Sequence, residues 1–504
     1  MSANQQKLKR LLALAICFSL LVVIFLIYSI SVRDYATAND SNRIHSSFAA
    51  ATAPSREEII RLHAQEFPNV PFEHWQRLSH KQLNDSCAQV PPMHSLRFHN
   101  NYWQVFHNRN VTYHLFNAYF DVRAYAMQRG AVVRVLAMAN EVPAPSHPSY
   151  CQLWYDTLSV PVIVPVVEQR LIWFLEWGTY GDYYPYLLSC VPPLPLRQTP
   201  PRAVSLVARF CDTASNMLRV LYEHPAANET QHGFAVCVKG LDYLYDDMGP
   251  RLVEWLELQR LLGARKVITY KLVLHPNLVR VLQHYVAEGF VELLPLSLGS
   301  EMADLPHYLH DYLHSDIANK RLNELVPYND CFYRNMYKYA YIAAVDVDEV
   351  IMPLGNSISW QQLIETALRR RTEDCPRGYA SVCVRNAIFP INAMNYTETT
   401  TARSHMFMLQ HVHRLNRTGE VNDAVKCFHN TSEVLTLHNH YHIARLEGCH
   451  SFHFEPVEAQ LQHYRLLEES AAQAALTRDE SIYRYKDALV RNVEAVLRQL
   501  GYLD

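Results

Sequence analysis

Hydrophobic residues follow two different patterns along this chain, and the change between them lies near residue 200. From about 95 to 200, short aromatic and β-branched runs stand between turn-like breaks, as in AVVRVLAMA, CQLWYD, LSVPVIVPVVE and RLIWFLEW. Runs of this length and composition predict β-strands. We therefore predict a β-rich accessory domain over 95–200, built as a sandwich or as a single sheet. The proline-rich stretch VPPLPLRQTPPR at 191–202 is a connector.

After about residue 204 the pattern alternates between strands and helices. SLVARFC and GFAVCVKG are strand-like, and 249–264 then carries a helical apolar stripe at 252, 253, 256, 258, 261 and 262. Five further elements follow, namely the strand KVITYKLVL, a helix at 276–289, the strand FVELLPL, a helix at 318–339 and the strand YIAAVDVDEV. This order predicts an α/β domain over 204–475, with a mixed, mostly parallel sheet flanked by helices. A helical tail over 476–504 ends the chain.

The N-terminal pattern differs from both. Leu11 to Val32 is a run of 22 residues without a charge, long enough to cross a bilayer as a helix. Basic residues lie just before it, which predicts a cytoplasmic tail over 1–10 and a signal anchor over 11–32. A cleaved signal peptide is the alternative, although the run is longer than a usual signal core and lacks an A-x-A ending. Residues 33–94 then form a stem, with a short helix predicted near 56–66.

Composition narrows the class of protein. Hydrophobic residues make up 49% and charged residues 19% of the chain, and the net charge is −3. These values are typical of a globular protein and give no sign of a nucleic-acid partner. Ten of the 11 cysteines lie beyond the apolar run, and an even number predicts disulfides of open connectivity in an oxidising compartment. Seven N-x-S/T triplets predict glycosylation and begin at Asn39, Asn84, Asn110, Asn228, Asn395, Asn416 and Asn430.

Three carboxylates follow an apolar strand in the segment YIAAVDVDEVIMP, Tyr341 to Pro353. In a strand, Asp346 and Asp348 project to the same side, where their oxygens can converge on one hard divalent cation. Glu349 faces the other way and can pair with a basic residue. Since ligands bind at the carboxyl ends of strands in open α/β sheets, this place favours a metal that contacts a nucleotide diphosphate.

Several ordered blocks resemble glycosyltransferase family 92. CVKGLDYLYDDMGPRLVEWLELQRLLGARKVITY at 237–270 is similar to the opening of that family's nucleotide-binding domain, and DCFYRNMYKYAYIAAVDVDEVIMP at 330–353 to its central block with a D-x-D segment. CQLWYD, AVKCFHNTSEVLTLHNHY and LQHYR resemble further blocks. The similarity extends over roughly residues 100 to 470.

The resemblance implies a GT-A fold and an inverting, Mn²⁺-dependent transfer of galactose from UDP-galactose to a glycan, such as fucose of an N-glycan core or a galactoside. It also implies a Golgi membrane protein of type II topology with a lumenal catalytic domain. Asp346 and Asp348 become the ligands of the metal and, through it, of the donor diphosphate. His463 in the QHYR block is the expected third metal ligand, and His438 is its rival.

Other residues leave alternatives open. Lys239 either approaches the donor or is solvated, and Asp330 and Arg334 either brace a helix together or contact the nucleotide. Trp255 and Trp360 favour core packing over sugar stacking. An inverting transfer needs a general base, which the sequence leaves unassigned among Glu398, Glu420, Asp423, Glu447 and Glu455.

Two other functions compete with the transferase. The alternative is a non-catalytic carbohydrate-binding protein or an inactive transferase, in which the β-rich region binds glycans. A glycosidase with paired carboxylates is a further class, but the α/β order behind a membrane anchor favours transfer.

Overall fold

Nine strands in the first part of the molecule form one sheet. The computed structural model describes residues 54–81, 87–123, 130–223, 231–301, 304–373, 375–376, 378–392, 405–421, 423–446, 449–467 and 475–504. In chain order the strands of this sheet are β1 (Phe98–Asn100), β2 (Trp103–Asn108), β3 (Val111–Asp121), β4 (Val132–Ala139), β5 (Tyr150–Trp154), β6 (Val162–Leu171), β7 (Tyr184–Cys190), β8 (Ala203–Val207) and β9 (Leu218–Leu221). The spatial order is β1-β2-β3-β4-β7-β6-β5-β8-β9, and β9 also pairs with β3, so the sheet closes on itself.

A second nine-stranded sheet and two separate pairs of strands follow. The remaining strands are β10 (Phe234–Tyr243), β11 (Ala264–Leu274), β12 (Val291–Pro295), β13 (Tyr341–Ala344), β14 (Glu349–Pro353), β15 (Tyr379–Pro390), β16 (His413–Leu415), β17 (Lys426–Asn430), β18 (Val434–Leu437), β19 (His442–Arg445), β20 (Cys449–His453), β21 (Ala459–Arg465) and β22 (Leu476–Arg478). The second sheet has the order β12-β11-β10-β13-β17-β15-β21-β14, with β20 beside β15. Among β10, β11, β12 and β13, every pair of neighbouring strands is parallel. Strand β17 is antiparallel to both β13 and β15. The predicted mixed α/β architecture is therefore confirmed.

The described helices are α1 (Arg56–Glu66), α2 (Phe72–Lys81), α3 (Gly249–Leu262), α4 (Pro276–Ala287), α5 (Pro306–Ser315), α6 (Ile317–Asn335), α7 (Trp360–Arg369) and α8 (Lys486–Gln499). Helix α1 matches the helix predicted near 56–66. Helices α3, α4 and α6 lie where the apolar stripes predicted them, and each ends a few residues earlier than expected. The terminal helix α8 packs against α3.

The described residues form one sheet, as the single-sheet alternative expected, rather than a sandwich. The first sheet differs from the sequence prediction in two ways. RLIWFLEW is not a strand of its own, because β6 ends at Leu171 and Leu175–Trp177 forms a 3₁₀ turn. The strand predicted from SLVARFC is present, but β8 pairs with β5 of the first sheet instead of opening the α/β pattern. Pairing partners depend on distant segments, which the local pattern does not encode.

Helix α6 packs against strands of both sheets and carries a buried carboxylate. It contacts β3, β4 and β7 of the first sheet and β10 and β11 of the second. Asp330 is fully buried and accepts hydrogen bonds from both sides. Asn117 (2.8 Å) and Tyr119 donate from β3, and Tyr270 (2.6 Å) donates from β11. Arg334 donates to the same carboxylate from the next helical turn (2.7 Å), so the bracing interpretation of this pair is confirmed.

Ten cysteines join in five disulfides, which resolves the connectivity that the sequence left open. The pairs are Cys87–Cys211, Cys151–Cys190, Cys237–Cys331, Cys375–Cys449 and Cys383–Cys427. Cys237–Cys331 links β10 to α6, and Cys383–Cys427 joins two directly paired residues of β15 and β17.

Among the described helices, none combines the length and the apolar character that crossing a bilayer requires. The predicted anchor at 11–32 lies outside the described residues.

Replacing Asp330 by Ala tests whether this carboxylate holds the two sheets to α6. The change leaves Arg334 without its buried partner, and we expect the free energy of unfolding to fall by about 3–5 kcal/mol. Urea unfolding of the full chain measures the loss. Glu365→Ala, at an exposed position of α7, is the control and should stay within about 0.5 kcal/mol of the parent. Equal stability of the two variants would contradict the bracing role of Asp330.

Candidate active site

The D-x-D segment lies in a turn between two strands. Strand β13 ends at Ala344 and β14 begins at Glu349, so the prediction that Asp346 and Asp348 share one face of a strand is wrong. The Glu349 carboxylate accepts a hydrogen bond from the backbone N–H of Asp346 (2.9 Å). The carbonyl oxygen of Asp348 accepts another from the N–H of Tyr464 (2.9 Å). These bonds hold the turn and direct its carboxylates to the edge of the sheet.

Strand pairing explains which side chains meet this turn. Strands β10 and β13 are parallel and their pairing ends at Cys237 and Ala344, so Lys239, two residues further along β10, comes to the same edge as Asp346. Strand β17 runs the opposite way beside β13, and its first residue, Lys426, arrives at that edge too. In the antiparallel pair of β14 and β21, His463 lies directly opposite Glu349.

A fully buried lysine connects two of the three carboxylates. The Lys426 ammonium lies 3.3 Å from an Asp346 oxygen and 2.9 Å from a Glu349 oxygen. Buried charges of this kind are tolerated only when they are paired. Burial raises the pKa of Glu349 above its ordinary value, against the opposing effect of Lys426. The expectation that Glu349 pairs with a basic residue is thus met.

A second lysine also neutralises Asp346. Lys239 lies 3.5 Å from Asp346 Oδ1 and 2.9 Å from an oxygen of Glu324, so it is ion-paired rather than simply solvated. Burial disfavours the ionised form of Asp346, but Lys239 and Lys426 outweigh that effect and hold the pKa of its carboxyl well below the ordinary value. Asp346 is therefore a permanent anion at neutral pH.

Asp348 and His463 form the open part of the site. His463 Nε2 lies 3.5 Å from Asp348 Oδ2, and its Nδ1 lies 3.7 Å from Glu349 Oε1. The Asp348 side chain is 31% exposed, about twice the 15% of Asp346. A carboxylate oxygen and an imidazole nitrogen at this spacing suit a divalent cation that keeps its remaining positions open to solvent or substrate.

Four further residues of the site were not predicted from the sequence, namely Lys426, Tyr328, Asn439 and Glu324. Tyr328 of α6 donates to Asp346 Oδ1 (3.0 Å) and to the side-chain oxygen of Asn439 (3.1 Å). Lys426 also donates to Asn439. Glu324 and Tyr328 are four residues apart, so they share one face of α6. This spacing is the signal in the sequence that could have pointed from one of these residues to the other.

A cavity of about 160 Å³ opens beside these charges. Lys239, Asp242 and Tyr243 of β10 line one side, and Lys320 and Glu324 of α6 line another. Burial and the Asp348 charge raise the pKa of Tyr243 above its ordinary value, so its hydroxyl stays protonated. The cavity therefore offers both cationic and hydrogen-bonding groups next to the carboxylates.

His438, the rival metal ligand, lies in an aromatic cluster instead. Its ring centroid is 4.6 Å from that of Trp177 and 5.2 Å from that of Tyr441. Trp173 and Phe174 pack edge-on against Trp177. Burial lowers the pKa of His438 to about 3, so the ring is neutral. We call these five residues the aromatic cluster.

The two tryptophans singled out by sequence are core residues, as the packing interpretation expected. Both are buried, and each donates its indole N–H to β14. Trp255 reaches the carbonyl oxygen of Glu349 (2.8 Å), and Trp360 that of Ile351 (2.9 Å). They support the strand that follows the D-x-D turn.

No acid from the general-base shortlist is singled out by its position. Glu398 and Glu447 lie outside the described residues. Glu420, Asp423 and Glu455 are exposed. The general base remains unassigned.

Replacing Lys426 by Met tests the charge balance of the turn. The variant leaves Asp346 and Glu349 without their shared buried cation, and we expect a loss of about 3–5 kcal/mol in the free energy of unfolding. Lys239→Met is the matched control and should cost less, because Lys239 is 25% exposed whereas Lys426 is fully buried. Urea unfolding at pH 7 compares the two. A larger loss for Lys239→Met would show that Lys426 is not the main support.

Comparison with known proteins identifies the family of the chain. No curated protein matched the chain. Residues 232–500, more than half of the chain, match the family model described as glycosyltransferase family 92. The matched segment contains the D-x-D turn, both lysines and His463, and it confirms the resemblance read from the sequence. The chain belongs to glycosyltransferase family 92.

Proposed function

We propose that this glycosyltransferase moves galactose from UDP-galactose to a glycan acceptor, with inversion and with Mn²⁺. The observation that carries the proposal is the D-x-D turn, with its two aspartates and His463, at the carboxyl edge of parallel strands. A donor diphosphate is doubly charged, and a site that combines carboxylates with ammonium groups can hold it through a cation. We further propose that the second sheet with its helices is a GT-A domain.

The predicted metal ligands differ in how available they are. Both oxygens of Asp346 already face ammonium or hydroxyl groups, as described above, whereas Asp348 and His463 face each other and are partly exposed. The residues therefore fit a cation held chiefly by Asp348 and His463, with Asp346 as a fixed negative charge beside it. When bound, such a cation neutralises negative charge on a diphosphate leaving group. Lys239 is placed to contact the same donor from the cavity side.

The aromatic cluster is the surface that we propose for the acceptor. It is linked to the carboxylates through the loop between β18 and β19, because Asn439 touches Lys426 and Tyr328 while the adjacent His438 packs on Trp177. Trp177 and Tyr441 are half-buried, so part of each ring is open to a ligand. Aromatic rings present an apolar face to which the C–H groups of a sugar can pack.

We also propose a Golgi membrane protein with a lumenal catalytic domain, held by the anchor at 11–32. Five disulfides in the described residues support an oxidising compartment. Asn110 and Asn416, which begin two of the glycosylation triplets, are exposed.

The first test is transfer by the purified full chain. A panel of UDP-sugars is offered with fucosylated N-glycan and galactoside acceptors, in Mn²⁺ or EDTA. We expect UDP-galactose to be used only with Mn²⁺, and Asp348→Asn to lower kcat at least about 100-fold because charge stabilisation is lost. Asp487→Asn, an exposed acid of α8, should keep full activity.

The outcomes separate the candidate functions. Use of another UDP-sugar would retain the mechanism and overturn the choice of galactose. A folded chain that binds glycan but neither hydrolyses nor transfers any donor would instead support the non-catalytic carbohydrate-binding alternative.

Trp177→Ala tests the acceptor surface separately. We expect the KM for the acceptor to rise about tenfold, which corresponds to the loss of one aromatic contact of roughly 1.4 kcal/mol. Donor hydrolysis without acceptor should be unchanged. Phe210→Ala removes another half-exposed ring, which packs edge-on to Tyr150 at 6.0 Å, and serves as the control. An unchanged acceptor KM in Trp177→Ala would rule out this surface.

A further inference from the structure

We propose that Asp242, His310 and His314 form a second metal site, which binds one Zn²⁺ or a similar transition-metal cation. Asp242 lies near the end of β10, and the two histidines lie one turn apart on α5, so they share one helix face. One potential ligand atom from each residue falls within 4.8 Å of the others. The proposal does not depend on the transfer reaction.

The Asp242 carboxylate has an unsatisfied oxygen at this place. Its side chain is only 6% exposed, and Oδ1 lies 2.8 Å from His310 Nδ1. Oδ2 is buried without a hydrogen-bond partner, and His314 Nδ1 is 3.6 Å away from it. Leaving a buried acceptor unsatisfied destabilises the folded state, and the cost is greater for a charged group. A cation between the three side chains would remove that cost.

The histidines are suitably arranged for a metal. The His310 and His314 ring centroids are 4.2 Å apart. His314 Nδ1 lies 2.8 Å from the carbonyl oxygen of His310. In the tautomer in which Nδ1 donates to that carbonyl, the lone pair on Nε2 is available, which is the usual arrangement of a metal-binding histidine. His314 is 57% exposed, so its ring can turn toward the cation.

The ligand set favours Zn²⁺ over the cation of the D-x-D turn. Two imidazoles and one carboxylate suit Zn²⁺, with a fourth position left for water. Tetrahedral Zn²⁺ places its ligand atoms roughly 3.3 Å apart, and each of the three residues offers one ligand atom within 4.8 Å of the others. Mn²⁺ and Mg²⁺ prefer oxygen ligands.

Such a cation would also shape the neighbouring cavity. Asp242 and His314 both line the cavity of about 160 Å³ that Lys239 and Glu324 border. Tying α5 to the end of β10 fixes one wall of this cavity. The second metal would therefore act on the donor side of the site without touching the D-x-D turn.

The test is Zn²⁺ binding by the purified full chain after treatment with a chelator. Isothermal titration with Zn²⁺, and the absorption spectrum with Co²⁺ as a probe, report affinity, stoichiometry and tetrahedral nitrogen ligation. The parent is compared with His310→Gln, His314→Gln and Asp348→Asn. His307→Gln is the matched control, because His307 lies on the same helix and contacts Tyr245 instead (2.6 Å).

We expect one Zn²⁺ to bind the parent, His307→Gln and Asp348→Asn with similar affinity. Binding should weaken by at least about tenfold in His310→Gln and His314→Gln, while their unfolding temperatures without metal stay near that of the parent. Failure of the parent to bind Zn²⁺ would overturn the proposal, as would unchanged affinity in both glutamine variants. Loss of Zn²⁺ in Asp348→Asn alone would assign the ion to the D-x-D turn. Absent transfer activity with Zn²⁺ bound would count against the proposed function only.

Discussion

The buried carboxylate of Asp330 is the interaction on which the arrangement of this molecule depends. Helix α6 lies against both sheets, and Asp330 accepts hydrogen bonds from β3 on one side and β11 on the other. A buried anion has a high desolvation cost, which its hydrogen bonds must offset. Helix α6 can therefore take only a position in which the Asp330 carboxylate keeps all its hydrogen-bond donors. The Cys237–Cys331 disulfide reinforces the same placement one residue later. Register and orientation of α6 follow from these two restraints.

The position of α6 in turn determines the candidate active site. Glu324 and Tyr328 lie six and two residues before Asp330 on α6 and reach Lys239 and Asp346. Three parts of the fold therefore supply the charged groups of the site, namely the parallel strands, the start of β17 and helix α6. Since Lys426 is buried and bonded to two carboxylates, the D-x-D turn has its shape before any ligand arrives. Preorganised charge of this kind costs no rearrangement when a substrate binds.

The carboxyl edge of the second sheet brings together groups of different chemistry. Carboxylates and one imidazole surround the D-x-D turn, whereas two imidazoles meet one carboxylate at the end of β10. The cavity lies between Lys239 and His314, so both clusters border the space where a ligand of this sheet edge would bind. The aromatic cluster joins the same region through Asn439, and it comes partly from the turn that follows β6 of the first sheet.

The sequence by itself determined the elements and the local chemistry. Apolar stripes predicted α3, α4 and α6, because side chains that pack on a sheet must recur with the helical period. The blocks around Cys237 and Asp346 identified the family, and the D-x-D segment and His463 were found as one candidate group. The stripes and blocks are features of neighbouring residues, which a one-dimensional pattern records, whereas His463 came from the family resemblance.

Only the tertiary structure decided how distant segments meet. It placed Lys426 against Asp346 across 80 residues, paired ten cysteines, and moved β8 into the first sheet. It also turned the D-x-D segment out of the strand, since Glu349 bonds back to the Asp346 N–H. His310 and His314 have helical spacing in the sequence, but Asp242 lies 68 residues before His310 and meets them only when the chain folds. Strand pairing and burial depend on contacts across the whole fold, and local propensity does not contain them.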